Sequence, residues 1–324
     1  MNKSTKEMVA NRRPTISVII PVYNSAAILP KLIAQLVPVL DHIASAHEVL
    51  LVNDGSKDAS WGSVTLIAST DEHVRGINLM RNFGQHNALL CGLREARYEI
   101  TMTMDDDLQH PPGELHKLLE KLDKGFDVVY GAPQTQQHGL WRDLASQITK
   151  MALRGAMGVE PARNISALRA FRTDLREGFA SYGGSFVSID VLLSWSTTRF
   201  ASIKVKHNPR LEGASNYTFR KLCTHAMNMT TGFSSLPLQF ASWIGFAFTT
   251  FGILVLFFVI GRFILEGRAV PGFAFLASLI AIFSGAQLFA LGIIGEYLAR
   301  MHFRLMDRPA YTIRSTTYAE NKES

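Results

Sequence analysis

The stretch TISVIIPVYNSAAILPKLIAQLVPVLDHIASAHEVLLVNDGS, residues 15–56, sets two short apolar runs either side of a longer segment with helical spacing. The first run, TISVIIPVYN (15–24), has strand length and is stopped by Pro21. The second, HEVLLVNDGS (47–56), ends in Asn, Asp and Gly, which favour turns. Between them AAILPKLIAQLVPVLDHIA repeats its apolar positions at helical intervals, despite Pro38. Strand, helix and strand in this order imply a parallel pair joined by a right-handed crossover. Working outward, VRGINLM (74–80), YEITMTMD (98–105) and FDVVYGA (126–132) read as further strands, with HNALLCGLREA and PGELHKLLEKLDKG as helices between them. The expected fold is α/β, an open nucleotide-binding sheet whose ligands sit at the carboxyl ends of the strands. Those ends carry Pro21, Tyr23 and Asn24, then Asn53 and Asp54, then Asp105, Asp106 and Asp107. They are expected to converge on one cleft.

Beyond this domain the apolar residues segregate. Leu222 to Gly261 contains no Asp, Glu, Lys or Arg, and FASWIGFAFTTFGILVLFFVIG within it exceeds the about 20 residues needed to cross a bilayer. Phe273 to Gly295 is a second uncharged run of spanning length, and the two predict a transmembrane helical hairpin. Two buried helices of a soluble core are the alternative, which long all-round apolar helices fit poorly. FRKLCTH before the first run and RMHFRLMDRPAYTIR after the second place both termini in the cytosol by the positive-inside rule. The excess of Lys+Arg over Asp+Glu, 33 against 27, suits an anionic ligand or a membrane surface without choosing between them. No nucleic-acid partner is expected. Two cysteines without CxxC spacing argue against a disulfide framework or zinc site, and the polar N-terminus reads as lacking a signal peptide.

Clusters of Asp and Asn at strand ends suit hard divalent cations that bridge phosphates, or a ribose diol accepted by a carboxylate. On a strand, neighbouring side chains alternate, so Asp105 and Asp107 are expected to face one ligand while Asp106 faces away. The other reading of the triplet is a solvated turn or helix N-cap before PPGELHKLL.

SVIIPVYN, EVLLVNDGSKD, RNFGQHNALLCG and MDDDLQHPP, in this order and followed by a two-helix hairpin, resemble the polyprenyl-phosphate glycosyltransferases of glycosyltransferase family 2. That group includes dolichol-phosphate mannose synthases, bactoprenol glucosyltransferases and undecaprenyl-phosphate formamidoarabinose transferases. The resemblance runs from about Thr15 to Tyr311 and implies a GT-A nucleotide-sugar-binding sheet followed by the hairpin. It matches Pro21, Tyr23 and Asn24 to a nucleotide-contacting loop and Asp54 to a base or ribose contact. Asp105 matches the first carboxylate of an Asp-x-Asp-Leu-Gln pattern, and Asp107 and Gln109 match ligands of Mg2+ or Mn2+. Asp106 stands where the family often has Ala, and is expected to be a supporting charge or a bystander, the member of the triplet lost with least harm. Arg210, Ser215, Asn216 and Tyr217 match an acceptor-side segment, with Asn216 where many relatives carry Lys.

The implied reaction moves a sugar from a nucleoside diphosphate, UDP in the nearest members, to a polyprenyl phosphate such as undecaprenyl phosphate, with inversion. Asp105, Asp107 and Arg210 are expected to be catalytic, and Arg142, Arg169 and Arg210 to grip the acceptor phosphate. For each arginine the alternative is a surface or structural ion pair. The resemblance also implies the bacterial inner membrane, and tetramers in some relatives. The expected layout is a polar N-terminal tail (1–14), a cytosolic domain (15–217), an interfacial segment or cationic flank (218–235), spans at 236–265 and 273–298, and a cytosolic tail (299–324). A membrane-tethered nucleotide-sugar-binding protein without catalysis and a polysaccharide synthase are the rival readings.

Overall fold

A computed structural model of the chain describes residues 13–133, 165–184, 186–208, 236–266 and 272–318. The chain divides into two compact units, parting after Thr218 and again after Met306.

The first unit is built on an eight-stranded sheet. Its strands are β1 (Thr15–Val22), β2 (Ala46–Asn53), β3 (Val74–Leu79), β4 (Ile100–Thr103), β5 (Val128–Pro133), β6 (Arg169–Arg172), β7 (Phe200–Val205) and β8 (Ile313–Thr316). They lie in the order β7-β5-β6-β4-β1-β2-β3-β8. β1 pairs in parallel with β2 on one side and β4 on the other, and β2 pairs in parallel with β3. The chain winds outward from β1 in one direction and resumes on its other side at β4. That reversal opens a crevice beyond the carboxyl ends of β1 and β4, the place where open α/β sheets bind ligands.

The sheet is mixed rather than wholly parallel. β6 inserts antiparallel between β4 and β5, and β8 lies antiparallel along β3. Residues 299–324, expected as a tail, therefore include the outer strand of this sheet. It is fastened by more than ladder bonds: Gly76 N–H donates to Thr317 Oγ1 over 2.8 Å, and the Arg75 guanidinium lies 3.9 Å from the centre of the Tyr318 ring. Arg75 also pairs at 2.7 Å with Glu48, and both are buried.

Helices α1 (Leu29–Ile43), α2 (Ser60–Thr70), α3 (Gln85–Glu95), α4 (Leu115–Leu122) and α5 (Ile189–Ser196) accompany the sheet. α1 turns Leu29, Leu32, Ile33, Leu36 and Leu40 inward, the three-and-four spacing of a single face. These meet Ile16, Val18, Ile20, Val49 and Leu51 in the main core. Burying each such side chain contributes about 1.5–3 kcal/mol. That outweighs the one helical hydrogen bond that Pro38 forgoes, and α1 runs through it.

Among its described residues the second unit holds α6 (Leu236–Glu266) and α7 (Phe273–Leu305). Leu236–Leu265 and Ile282–His302 are each long and apolar enough to cross a membrane, and neither is buried within the protein. Large apolar side chains such as Trp243, Phe257, Ile264 and Leu288 are exposed along them. Ser242, Thr249 and Thr250 return their hydroxyls to carbonyls one turn back, which satisfies them without water. The helices meet where Phe283 fits against Gly252, 3.2 Å from where a Cβ would stand there, and edge-on against Phe248.

Candidate active site

Four loops, each leaving the carboxyl end of a parallel strand, surround a cleft of about 400 Å³. Pro21, Tyr23, Asp54, Asp105, Asp106 and Asp107, all marked out by the sequence, line it, and so do Asn82, Gly84 and Gln85. Its size falls in the range of small-molecule sites.

The loops are tied in a closed ring of hydrogen bonds. After β1 the backbone turns at Asn24, in the left-handed region at φ 55°. Its side-chain oxygen accepts from Lys57 N–H over 2.8 Å, and its own N–H donates to Ser56 Oγ over 3.0 Å. This joins the β1 loop to the β2 loop. The β2 loop turns at Gly55, φ 63°, where a Cβ would run into the backbone of Arg81 and Asn82, so glycine is required twice over. Asp54 joins the β2 loop to the β3 loop: its two carboxylate oxygens accept from Phe83 N–H at 2.7 Å and Gly84 N–H at 2.9 Å. Burial raises the Asp54 carboxyl above its usual range, with those two N–H groups and the Arg81 charge opposing. At the start of α3, Gln85 Nε2 donates to Asp105 Oδ1 over 2.6 Å, joining the β3 loop to the β4 loop. Asp106 closes the ring: its Oδ2 accepts from Ser25 Oγ over 2.5 Å and from Tyr23 N–H over 3.3 Å.

The aspartate triplet departs from the alternation expected of a strand. β4 ends at Thr103, so Asp105 to Asp107 lie in a turn, where side chains have no two-residue period. All three line the cleft, and Asp106 does not face away. The turn is held by Leu108, which is buried in the core at the left-handed φ of 58°. That conformation is unfavourable for a leucine by about 1–2 kcal/mol and persists because the buried side chain and its neighbours impose it. Asp107 Oδ1 accepts from Gln109 N–H over 3.1 Å, a local turn rather than a cap; the helical turn beginning at Pro112 has no side-chain cap.

Three adjacent carboxylates in one cleft repel. Burial foremost, then Asp107 and Asp106, push the Asp105 carboxyl up to about 6. Burial also raises Asp106, against its bonds from Ser25 and Tyr23. Three carboxylates whose mutual repulsion is only partly offset by their donors and by Arg169 fit a hard divalent cation such as Mg2+ or Mn2+. Among the described residues no group of three or more His, Cys, Asp or Glu side chains forms a metal cage.

Arg169, expected at an acceptor phosphate, has the other of its two readings in the structure. It is 3% exposed, its guanidinium lies 3.0 Å from Asp190, and its Nε donates to the Ser166 carbonyl. Tyr130 donates to the same Asp190 oxygen over 3.0 Å. Arg169 is thus a structural cation beneath Asp105, whose charge it partly offsets. The chain after β7 is brought against the aspartate turn by Asn208 N–H, which donates to the Gln109 carbonyl over 2.8 Å, and by His207, edge-on to His110. Arg142, Arg210, Ser215, Asn216 and Tyr217 lie outside the described residues. Gln85 and Ser25 were not singled out from the sequence. Both sit just beyond strand ends, and the strand-end rule applied to Ser25 and to the RNFGQHN loop would have found them.

A family model described as Glycosyl transferase family 2 matches residues 17–192. An undecaprenyl-phosphate 4-deoxy-4-formamido-L-arabinose transferase of Shewanella sediminis is 33% identical over 308 residues, covering 94% of this chain and 93% of that protein. A protein of the same description from Salmonella choleraesuis is 32% identical over 309 residues, covering 94% of each chain. Among solved structures, glucosyl-3-phosphoglycerate synthase from Mycobacterium tuberculosis, in complex with Mn2+, UDP-glucose and phosphoglyceric acid, superposes with a TM-score of 0.50 at 20% identity. The match covers 67% of this chain and 78% of that one. This last likeness is one of fold, a GT-A sheet, and the first two extend over nearly the whole sequence. The chain belongs to glycosyl transferase family 2.

Proposed function

We propose that this glycosyltransferase moves a sugar from a nucleoside diphosphate sugar, with UDP as the expected carrier, to undecaprenyl phosphate or a related polyprenyl phosphate at the cytosolic face of the bacterial inner membrane. The observation that carries the reading is the aspartate turn at the sheet's reversal point, in a chain whose relatives of near-equal length are named as undecaprenyl-phosphate sugar transferases. Residues 15–217 supply the catalytic domain, 236–265 and 273–298 the spans, and 218–235 the approach to the lipid surface. The flanking Lys and Arg residues favour cytosolic termini.

An acceptor phosphate is already anionic at neutral pH, so it needs no strong general base. The task is to bring two anions together and stabilise the departing diphosphate. Pro21, Tyr23 and Asn24 hold the nucleotide from one side and Asp54 from the other, through the loop it fastens. Asp107 and Gln109 would hold a divalent cation, with Asp105 beside them facing the sugar. When bound, that cation supplies Lewis-acid stabilisation of the leaving charge. Arg210, which follows the Asn208 contact in sequence, and Arg142 are assigned to the acceptor phosphate. Attack in line at the anomeric carbon inverts it.

The test incubates detergent-solubilised full-length protein with radiolabelled UDP-sugars, UDP-4-deoxy-4-formamido-L-arabinose among them, undecaprenyl phosphate, and Mg2+ or Mn2+. Label in an organic-extractable lipid is expected for one donor. No such product with any donor, or tight donor binding without turnover, overturns the reading.

A further inference from the structure

Asp106 was expected to be the expendable member of the triplet, yet it is the side chain that completes the ring of loops. The β1 loop is anchored to the β2 loop by Asn24, Ser25 and Ala26, which reach Ser56, Lys57, Ser60 and Asp58. On its other side Asp106 Oδ2 is the acceptor that joins it to the β4 turn, through Ser25 Oγ and Tyr23 N–H. Tyr23, 45% exposed, lines the cleft beside this bond.

We propose that Asp106 is a positioning residue that latches the β1 loop to the aspartate turn, so that the surface receiving the nucleotide and the carboxylates receiving the metal and diphosphate keep a fixed spacing. The proposal rests on the reading of the cleft as a nucleoside diphosphate sugar site. It reverses the simple electrostatic expectation. If Asp106 were only a bystander charge, neutralising it would relieve repulsion toward a diphosphate and tighten donor binding. As a latch its contribution is geometric, and losing it loosens the loop while leaving Asp105 and Asp107 in place. What the latch requires is an acceptor oxygen at that position, which an amide also provides.

The test uses the full-length protein in detergent and four variants: Asp106→Ala, Asp106→Asn, Ser25→Ala and the Asp106→Ala/Ser25→Ala double. Steady-state transfer gives kcat and KM for the donor, and calorimetry with UDP and Mn2+ gives binding. Asp106→Ala and Ser25→Ala should each raise the donor KM about tenfold, the order expected for a lost hydrogen bond to a charged acceptor, with a smaller change in kcat. Asp106→Asn should recover most of the loss, and the double variant should be little worse than either single one. Tighter UDP binding by Asp106→Ala, Asp106→Asn as weak as Asp106→Ala, or losses that multiply in the double variant overturn the latch. Amide hydrogen exchange across residues 22–27 of the ligand-free protein gives an independent readout. Asp106→Ala should speed it and Asp106→Asn should not; equal exchange in all variants overturns the proposal. Wild-type protein that binds no UDP counts against the functional reading alone, and hydrogen exchange still decides the latch.

Discussion

Gln85 and Asp105 are joined side chain to side chain, Nε2 to Oδ1, over 2.6 Å. The amide has one orientation that donates to this oxygen, and the start of α3 fixes where it begins. Gln85→Ala should lower kcat/KM about ten- to a hundredfold, the range for a lost bond to a charged acceptor. Gln85→Glu sets a fourth carboxylate against the triplet and should do more damage at pH 7. Steady-state kinetics of both variants check the order; a Glu variant as active as the Ala variant would contradict it.

Asp107→Asn keeps the shape of the turn and removes the charge assigned to the metal. Lewis-acid stabilisation is worth several kcal/mol, so turnover should fall about a thousandfold. Chelation by EDTA should abolish wild-type transfer, and Mg2+ or Mn2+ should restore it. Activity in EDTA equal to that with metal would remove the cation from the mechanism.

The Asp105 carboxyl, pushed up to about 6 by burial and its two neighbours, gives a pH dependence of definite sign. The folded protein keeps this proton where the unfolded chain, titrating near 4, has lost it. The stability it contributes is complete below that lower value and is lost as pH rises through about 6. Lowering pH from 7 to 5 should therefore raise the Tm of metal-free wild type relative to Asp105→Asn, while donor binding declines. Saturating Mn2+ should move both effects to lower pH. Identical Tm profiles for the two proteins would refute the shift.

Across neighbouring strands of the sheet, Glu48 of β2 accepts from Arg75 of β3 at 2.7 Å and from Ser17 Oγ of β1 at 2.7 Å, all buried. Glu48→Ala leaves a buried guanidinium without its main partner and should cost about 3–5 kcal/mol. Thermal unfolding in detergent measures the loss. Donor KM per folded molecule should stay unchanged, because the pair lies at the opposite end of β2 from the cleft.

Local patterns carried much of the fold. The apolar runs at 15–24 and 47–56 and the helical spacing between them were enough to place β1, α1 and β2, since strand and helix periods are properties of neighbouring residues. β6 and β8 were invisible for the converse reason. Each is four residues long, and each is specified by partners far away in sequence, such as Thr103 for Arg169 and Ile77 for Thr316. The cleft was legible as a convergence of strand ends. The arrangement inside it was not, because the parity rule was extended past Thr103 into a turn shaped by Leu108. Arg169 shows the same limit: a cation near a motif reads alike whether it faces a ligand or Asp190.

β8 follows both apolar helices in the chain yet borders the sheet that begins at Thr15. The hairpin is therefore an insertion within one folded body rather than an anchor added to its end. During synthesis the strands that carry the cleft loops emerge first, while the outer edge of β3 waits for a segment that leaves the ribosome only after two long apolar helices. Until then β3 offers open backbone groups to any other strand, a hazard for a nascent protein. A molecule in which residues 313–316 fail to return to β3 would carry that open edge permanently, so completion of the sheet depends on the chain having passed through both apolar helices first.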